Sequence, residues 1–87
     1  MHRKKLLHKL KKFFDMNARE RAQRKDELID LLSRLKHKEN ELKAELGAEQ
    51  DENVRSEIAQ KIDVVHTQRT KGIEMLVELR NETGNDA

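Results

Sequence analysis

The chain has 87 residues, of which 41% are charged and 34% are hydrophobic, and its formal net charge is +2. This length allows one domain, and so polar a chain cannot build a thick core. Cys is absent, which excludes disulfides and thiolate chemistry, and no apolar run approaches the length that a membrane-spanning helix needs. Pro is also absent, and the charged, leucine-rich composition is typical of long helices or coiled coils, so we expect an all-α fold.

The first segment, residues 1–16, is predicted to be a short, basic, amphipathic helix. Residues 1–14 contain six of the 19 basic residues and none of the 17 acidic residues, so the remainder is net acidic. At 100° per residue, the large apolar side chains fall within an arc of about 120°. This apolar docking face consists of Leu6, Leu7, Leu10, Phe13 and Phe14. The candidates for contacting an anionic partner are Arg3, Lys4, Lys5, Lys9, Lys11 and Lys12.

The second segment, residues 17–81, is predicted to contain two long helices. Asn17 followed by Glu20 resembles a capping box, so a helix is expected to begin there and to extend over about residues 17–46. Gly47 is well suited to end that helix in the left-handed conformation, and Asp51 is suited to cap the next one. The last long helix is therefore expected over about residues 52–81, and residues 82–87 are expected to be a disordered tail.

Folding the chain at residues 47–51 brings the apolar stripes of these two helices together. Residues whose numbers sum to about 100 then face each other, so Leu35 meets Val65, and Leu28 meets Gly72 or Ile73. This agreement between two independent patterns favours an antiparallel, coiled-coil-like helical hairpin. The predicted core of the hairpin and its oligomer is Leu28, Leu32, Leu35, Leu42, Leu46, Val54, Ile58, Ile62, Val65, Ile73, Leu76 and Leu79.

A single seam is a weak basis for stability, because ordering the backbone costs about 1–2 kcal/mol per residue. Four apolar residues also lie outside the seam and need cover: Leu31, Val64, Met75 and Val77. Dimerisation into a four-helix bundle would supply that cover, so a homodimer is the favoured assembly. Alternatively, the N-terminal helix folds back over one end of the hairpin, with Phe13 and Phe14 inserted there.

Two charged residues, Glu39 and Arg69, interrupt the apolar stripes. The simpler interpretation is that both side chains reach to the solvent at the rim of the seam. The alternative is that they pair across the bundle and fix its register. Since the two positions lie about two turns from direct opposition within one hairpin, such a pair would have to join two subunits.

The sequence contains no pattern that is typical of an enzyme. Tyr and Trp are absent, as are catalytic triads, glycine-rich phosphate loops and zinc-ligand spacings. His37 points away from the leucine stripe of its helix, and His66 lies at the edge of its own stripe, so the two do not converge on a metal. We therefore expect a non-enzymatic protein with no catalytic residue, no metal site and no cofactor.

The favoured function is that of a small helical interaction or scaffold protein that self-associates through its hairpin. Its N-terminal helix would dock on protein, either on its own bundle or on a partner protein. The first alternative is peripheral attachment to an anionic membrane through residues 1–14, and the second is nonspecific nucleic-acid binding through the same residues. Lys and His interrupt the apolar residues of the N-terminus, so no signal peptide is predicted. We therefore expect a cytoplasmic location, with a position at the membrane periphery as the alternative.

Overall fold

The computed structural model describes residues 3–84, and all of its regular secondary structure is helical. Helix α1 spans Arg3–Asp15, α2 spans Ala18–Gln23, α3 spans Lys25–Ala48 and α4 spans Glu52–Gly84. No strand occurs within residues 3–84. The molecule is narrow, with extents of 54 × 20 × 16 Å. The predicted all-α class and the long helices are confirmed.

The helix bounds differ from those predicted at two places. The helix expected over residues 17–46 is divided at Arg24, where the backbone leaves helical geometry with φ −112° and ψ 24°. Asp26 and Glu27 follow in the first turn of α3, where carboxylates interact favourably with the positive end of the helix dipole. The helical backbone of α4 continues through Gly84, into the segment expected to be a disordered tail, and residues 85–87 of that segment lie outside the described residues.

The joint between α1 and α2 is built by side chains, beginning with the N-cap residue Asn17. Its Oδ1 accepts a hydrogen bond from the Glu20 N–H at 2.9 Å, and its Nδ2 donates to Glu20 Oε1 at 3.1 Å, so the predicted cap is confirmed. Arg21 reaches back to the end of α1, donating to the carbonyls of Phe13 at 3.0 Å and Phe14 at 2.8 Å. Because the last carbonyls of a helix have no intrahelical partners, Arg21 satisfies the end of α1 and fastens it to α2.

The joint between α3 and α4 does not use Gly47 as predicted. Gly47 lies inside α3 and its φ is not positive, so the expected left-handed cap at this residue is wrong. The helix ends instead at Ala48, and its C-cap residue Glu49, whose backbone is extended, donates its N–H to the Glu45 carbonyl at 3.0 Å. Asp51 caps α4 as predicted, since its Oδ1 accepts a hydrogen bond from the Asn53 N–H at 2.9 Å.

Arg55 explains why no left-handed glycine is needed at this joint. Its Nη1 donates to the carbonyls of Leu46 at 2.6 Å and Glu49 at 2.8 Å. The carbonyls that a left-handed turn would otherwise satisfy therefore have a side-chain donor. At both joints, the arginine stands four residues after the N-cap residue and reaches back over the preceding helix end.

Helices α3 and α4 pack against each other, and two contacts define their relative position. Glu39 contacts His66, and Leu32 lies against Gly72. The pairing inferred from the sequence placed Leu28 opposite Gly72, whereas Leu32 lies there. Each residue of α4 therefore lies opposite a position about one helical turn closer to the C-terminus of α3 than predicted. The extension of α3 to Ala48 contributes to this shift, because it moves each residue of α4 opposite a later residue of α3.

The three longer helices approach one another closely at Gly72. Helix α1 contacts both α3 and α4. A Cβ atom at Gly72 would lie 2.5 Å from Leu32 Cδ2 and 3.2 Å from Leu10 Cδ1. The missing side chain therefore allows α1 and α3 to pack together on α4. Gly72 lies within a helix, so no turn requires a glycine at this position.

Replacing Gly47 or Gly72 by alanine should have opposite effects on stability. Nothing lies within 4 Å of a Cβ at Gly47, so Gly47→Ala should raise the free energy of unfolding by about 0.5–1 kcal/mol through helix propensity. Gly72→Ala gains the same propensity, but overpacking against Leu32 and Leu10 should cost about 1–3 kcal/mol. Urea unfolding monitored by circular dichroism measures both, and a Gly72→Ala variant as stable as Gly47→Ala would contradict the close approach.

Candidate interaction surfaces

The apolar side of α1 is covered by the chain itself. Leu6, Leu10 and Phe13 are buried, and Leu7 and Phe14 are half-buried against the same hydrophobic core. The predicted docking face therefore packs on α3 and α4 of its own chain. This placement corresponds to the alternative in which the N-terminal helix folds back over the two long helices. Its burial also directs the basic side of the helix outward.

That outer side of α1 forms an exposed, positively charged surface, here termed the basic face. It consists of Lys4, Lys5, His8, Lys9, Lys11 and Lys12. Arg3, the remaining candidate for contacting an anionic partner, is half-buried. No ion pair within the described part of the chain involves a residue of α1, so the lysines of the basic face have no acidic partner there.

A groove of about 370 Å³ runs beside the basic face, between α1 and α3. It is lined by Leu6, Lys9, Lys12, Phe13, Met16, Arg24, Glu27, Asp30, Leu31 and Arg34. Its two carboxylates are already engaged, since Glu27 pairs with Arg24 and Asp30 pairs with Arg34, each at 2.8 Å. The two lysines that α1 contributes to the groove therefore remain available to an external anion.

The predicted core residues differ in their burial. The buried ones are Leu28, Leu32, Leu35, Leu42, Ile58, Val65 and Leu79, and the half-buried ones are Leu46, Ile62 and Leu76. Val54 and Ile73 are exposed, at 36% and 39%. Ile73 adjoins Gly72, and the glycine rather than the isoleucine faces the neighbouring helices.

Two buried residues, Leu31 and Met75, were not included in the predicted seam. Leu31 lines the groove beside α1, and Met75 lies about one turn beyond Gly72, where Leu10 approaches α4. Val64 and Val77, which the sequence also showed to need cover, remain exposed, so the docking of α1 accounts only for the burial of Leu31 and Met75. Considering α1 as a third packing partner would have placed both residues in the core.

The side of α3 and α4 away from α1 carries exposed apolar residues, here termed the uncovered face. It consists of Ile29, Ile73 and Val77, with exposures of 39%, 39% and 46%. Ile29 lies about 160° around α3 from Leu31, and Ile73 lies about 160° around α4 from Met75. The helix pair therefore has one side that α1 covers and another side on which these three apolar side chains remain exposed.

Glu39 is buried in the contact between α3 and α4, with only 2% of its surface exposed. Its Oε1 lies 3.0 Å from His66 Nδ1, and its Oε2 lies 3.4 Å from both Arg69 Nη2 and Lys43 Nζ. Burial acts to raise the pKa of Glu39, but hydrogen bonds with His66 and Lys43 and the charges of Arg69 and Lys43 hold it below its ordinary value.

The interpretation that Glu39 and Arg69 both reach to the solvent is wrong, and so is the requirement for a second subunit. They pair within one chain, because the register is shifted and the arginine side chain is long. Arg69 Nε is buried without a hydrogen-bond partner, so this network is incompletely satisfied. The sequence did contain a signal for this pair, since Glu39 and Arg69 carry opposite charges and interrupt two apolar stripes that face each other.

The histidines of the two long helices, His37 and His66, belong to separate pairs. His37 Nε2 lies 3.0 Å from Glu41 Oε1 on the exposed side of α3, whereas His66 contacts Glu39. Within residues 3–84, no group of three or more His, Asp or Glu side chains is placed to hold a metal ion.

Comparisons with known proteins add no family to these observations. Neither protein-family models nor curated proteins nor solved structures give a match to the chain. Among the described helices, none has the length and apolar character needed to cross a bilayer.

Replacing Glu39 tests the buried network. Glu39→Gln removes the negative charge while keeping the shape, leaving Arg69 without a counter-charge, and should lower the free energy of unfolding by about 1–3 kcal/mol. Glu41→Gln on the same helix is the matched control, because Glu41 pairs at the surface with Lys38 and His37 and should change stability by less than about 0.5 kcal/mol. Equal effects in urea unfolding would contradict a special role for Glu39.

The lowered pKa of Glu39 predicts the direction of a pH dependence. Its ionised form is favoured by folding, so its contribution is present above the ordinary carboxyl pKa of 4.5 and is lost as the pH falls through the lowered value. The stability difference between the native chain and Glu39→Gln should therefore be larger at neutral pH than in acid. Urea unfolding of both proteins across this range checks it, and a difference independent of pH would contradict it.

Proposed function

We propose that this chain is a non-enzymatic helical interaction module that self-associates through α3 and α4. In this proposal, α3 and α4 form an antiparallel hairpin, α1 covers one of its sides, and a second copy covers the other. The assembly is a homodimer with a four-helix core and one α1 helix on each outer side. The observation that carries the proposal is the exposed apolar surface of Ile29, Ile73 and Val77 on the side away from α1.

The contacts between the long helices support the hairpin. Arg55 at the start of α4 binds the carbonyl of Leu46, and farther along α4, His66 contacts Glu39. Residue numbers therefore fall along α3 as they rise along α4, as an antiparallel pair requires. The short connection of residues 49–51 is also typical of two adjacent antiparallel helices.

The elongated shape of the molecule, which measures 54 × 20 × 16 Å, supports a partner. An elongated pair of helices with one uncovered side is the shape that a second pair can complete.

The association should be reversible. Each side chain of the uncovered face is already more than half buried in the single chain, so covering it fully adds only about 1 kcal/mol. These gains must offset the loss of translational and rotational freedom on association. We therefore expect dimerisation that depends on concentration, and the same face could receive an amphipathic helix of a partner protein instead.

Membrane attachment is less well supported. An interfacial helix inserts its apolar face among the lipid headgroups, but Leu6, Leu10 and Phe13 are at most 4% exposed. Insertion would require α1 to leave α3 and α4 and to expose Leu31 and Met75. The cytoplasmic location expected from the sequence stays a prediction.

Two valines on α4 provide a matched test of self-association. Val77 belongs to the uncovered face, whereas Val64 lies on a different side of α4, and their exposures are 46% and 47%. Val77→Lys should weaken dimerisation at least about tenfold, since a charge would be buried at the interface, whereas Val64→Lys should leave it unchanged. Sedimentation analysis over a range of protein concentrations measures the dimer fraction.

Circular dichroism of both valine variants controls for loss of folding. A native chain that stays monomeric at every concentration would contradict self-association. Equal weakening by Val64→Lys would show that the uncovered face is not the contact. Ile29→Lys places the same charge on α3 and should reproduce the effect of Val77→Lys.

A further inference from the structure

We infer that the basic face of α1 binds double-stranded nucleic acid through its phosphates, without reading the base sequence. The inference goes beyond self-association and does not depend on it, because the basic face and the uncovered face lie on different sides of the helix pair. It rests on the charge, the spacing and the availability of the exposed cations of α1.

The dimensions of α1 match a row of phosphates. Its 13 residues extend over about 20 Å, a length along which one strand of a duplex presents about six phosphates. The five exposed lysines and His8 all lie within an arc of about 160° around α1, opposite the side that Leu10 buries. A duplex lying along α1 could therefore contact several of these cations at once.

The cations are available because the fold leaves them unpaired. No residue of α1 takes part in an ion pair within the described chain, whereas Lys38 and Lys43 of α3 each pair with a carboxylate. In the groove, Glu27 and Asp30 are paired with arginines, so they do not neutralise Lys9 and Lys12. An approaching polyanion would not have to displace an internal carboxylate from α1.

The chemistry of the face favours a duplex over a single strand. Proteins that bind single strands stack bases on exposed aromatic side chains, but the chain has no Trp or Tyr, Phe13 is buried and Phe14 is half-buried. Lysines that contact phosphates supply affinity and carry little sequence information. Binding should therefore be electrostatic, sensitive to salt and indifferent to sequence.

A duplex is also favoured over an anionic bilayer. The apolar side of α1, which an interfacial helix would insert, is occupied by the chain's own core. A rod-shaped polyanion can lie along the basic face alone, whereas a planar membrane would also bring the net acidic remainder of the chain toward negative charge. Both ligands present phosphates, but the duplex therefore fits the basic face better than the bilayer does.

The test measures binding to a mixed-sequence DNA duplex of about two helical turns by fluorescence anisotropy at several salt concentrations. With about four phosphate contacts, a fourfold rise in salt should weaken binding roughly a hundredfold. The double variant Lys5→Gln, Lys12→Gln should lower the slope of log affinity against log salt by about 2. Gln preserves helix propensity, and circular dichroism verifies folding.

The control double variant Lys36→Gln, Lys61→Gln removes the same charge from exposed, unpaired lysines of α3 and α4 and should leave duplex binding unchanged. Absence of duplex binding at low salt, or equal weakening by the two double variants, would overturn the inference. Vesicles of phosphatidylcholine and phosphatidylserine are tested in parallel. Binding to these vesicles without binding to the duplex would assign the basic face to a membrane and would likewise overturn it.

Discussion

The close approach of three helices at Gly72 determines which surfaces of this molecule are open. Because Gly72 has no side chain, Leu10 of α1 and Leu32 of α3 both reach the backbone of α4. With α1 held there, its leucines and Phe13 lie inside, its lysines lie outside, and one side of the α3–α4 pair is covered. The basic face and the uncovered face are thus two results of one packing event, and both proposals about function depend on it.

The buried carboxylate of Glu39 shows how a thin core accommodates charge. A seam between two helices offers few apolar contacts, yet one of its positions is given to a side chain whose burial is costly. His66, Lys43 and Arg69 compensate it, although Arg69 Nε remains without a partner. A network of this kind contributes more to the choice of register than to total stability, because any sliding of α3 along α4 would separate Glu39 from His66 and Arg69.

The features that could be predicted from the sequence are those that depend on neighbouring residues. The all-α class and the caps at Asn17 and Asp51 follow from local composition and hydrogen bonding, and the structure has them. The features that were missed depend on contacts between one helix and another. Arg55 makes a left-handed Gly47 unnecessary, and α1 buries residues that the seam between two helices leaves out. The candidate surfaces were identified as residue types, but which of them face outward is decided by how α1 docks.

The two arginine joints have a consequence for how this chain can vary. At each joint, a guanidinium group one turn into a new helix holds the carbonyls of the helix before it. One residue inserted between Asp51 and Arg55 would rotate that group by about 100° around the helix axis and separate it from its acceptors. The joints should therefore resist insertions and deletions, which surface loops usually tolerate.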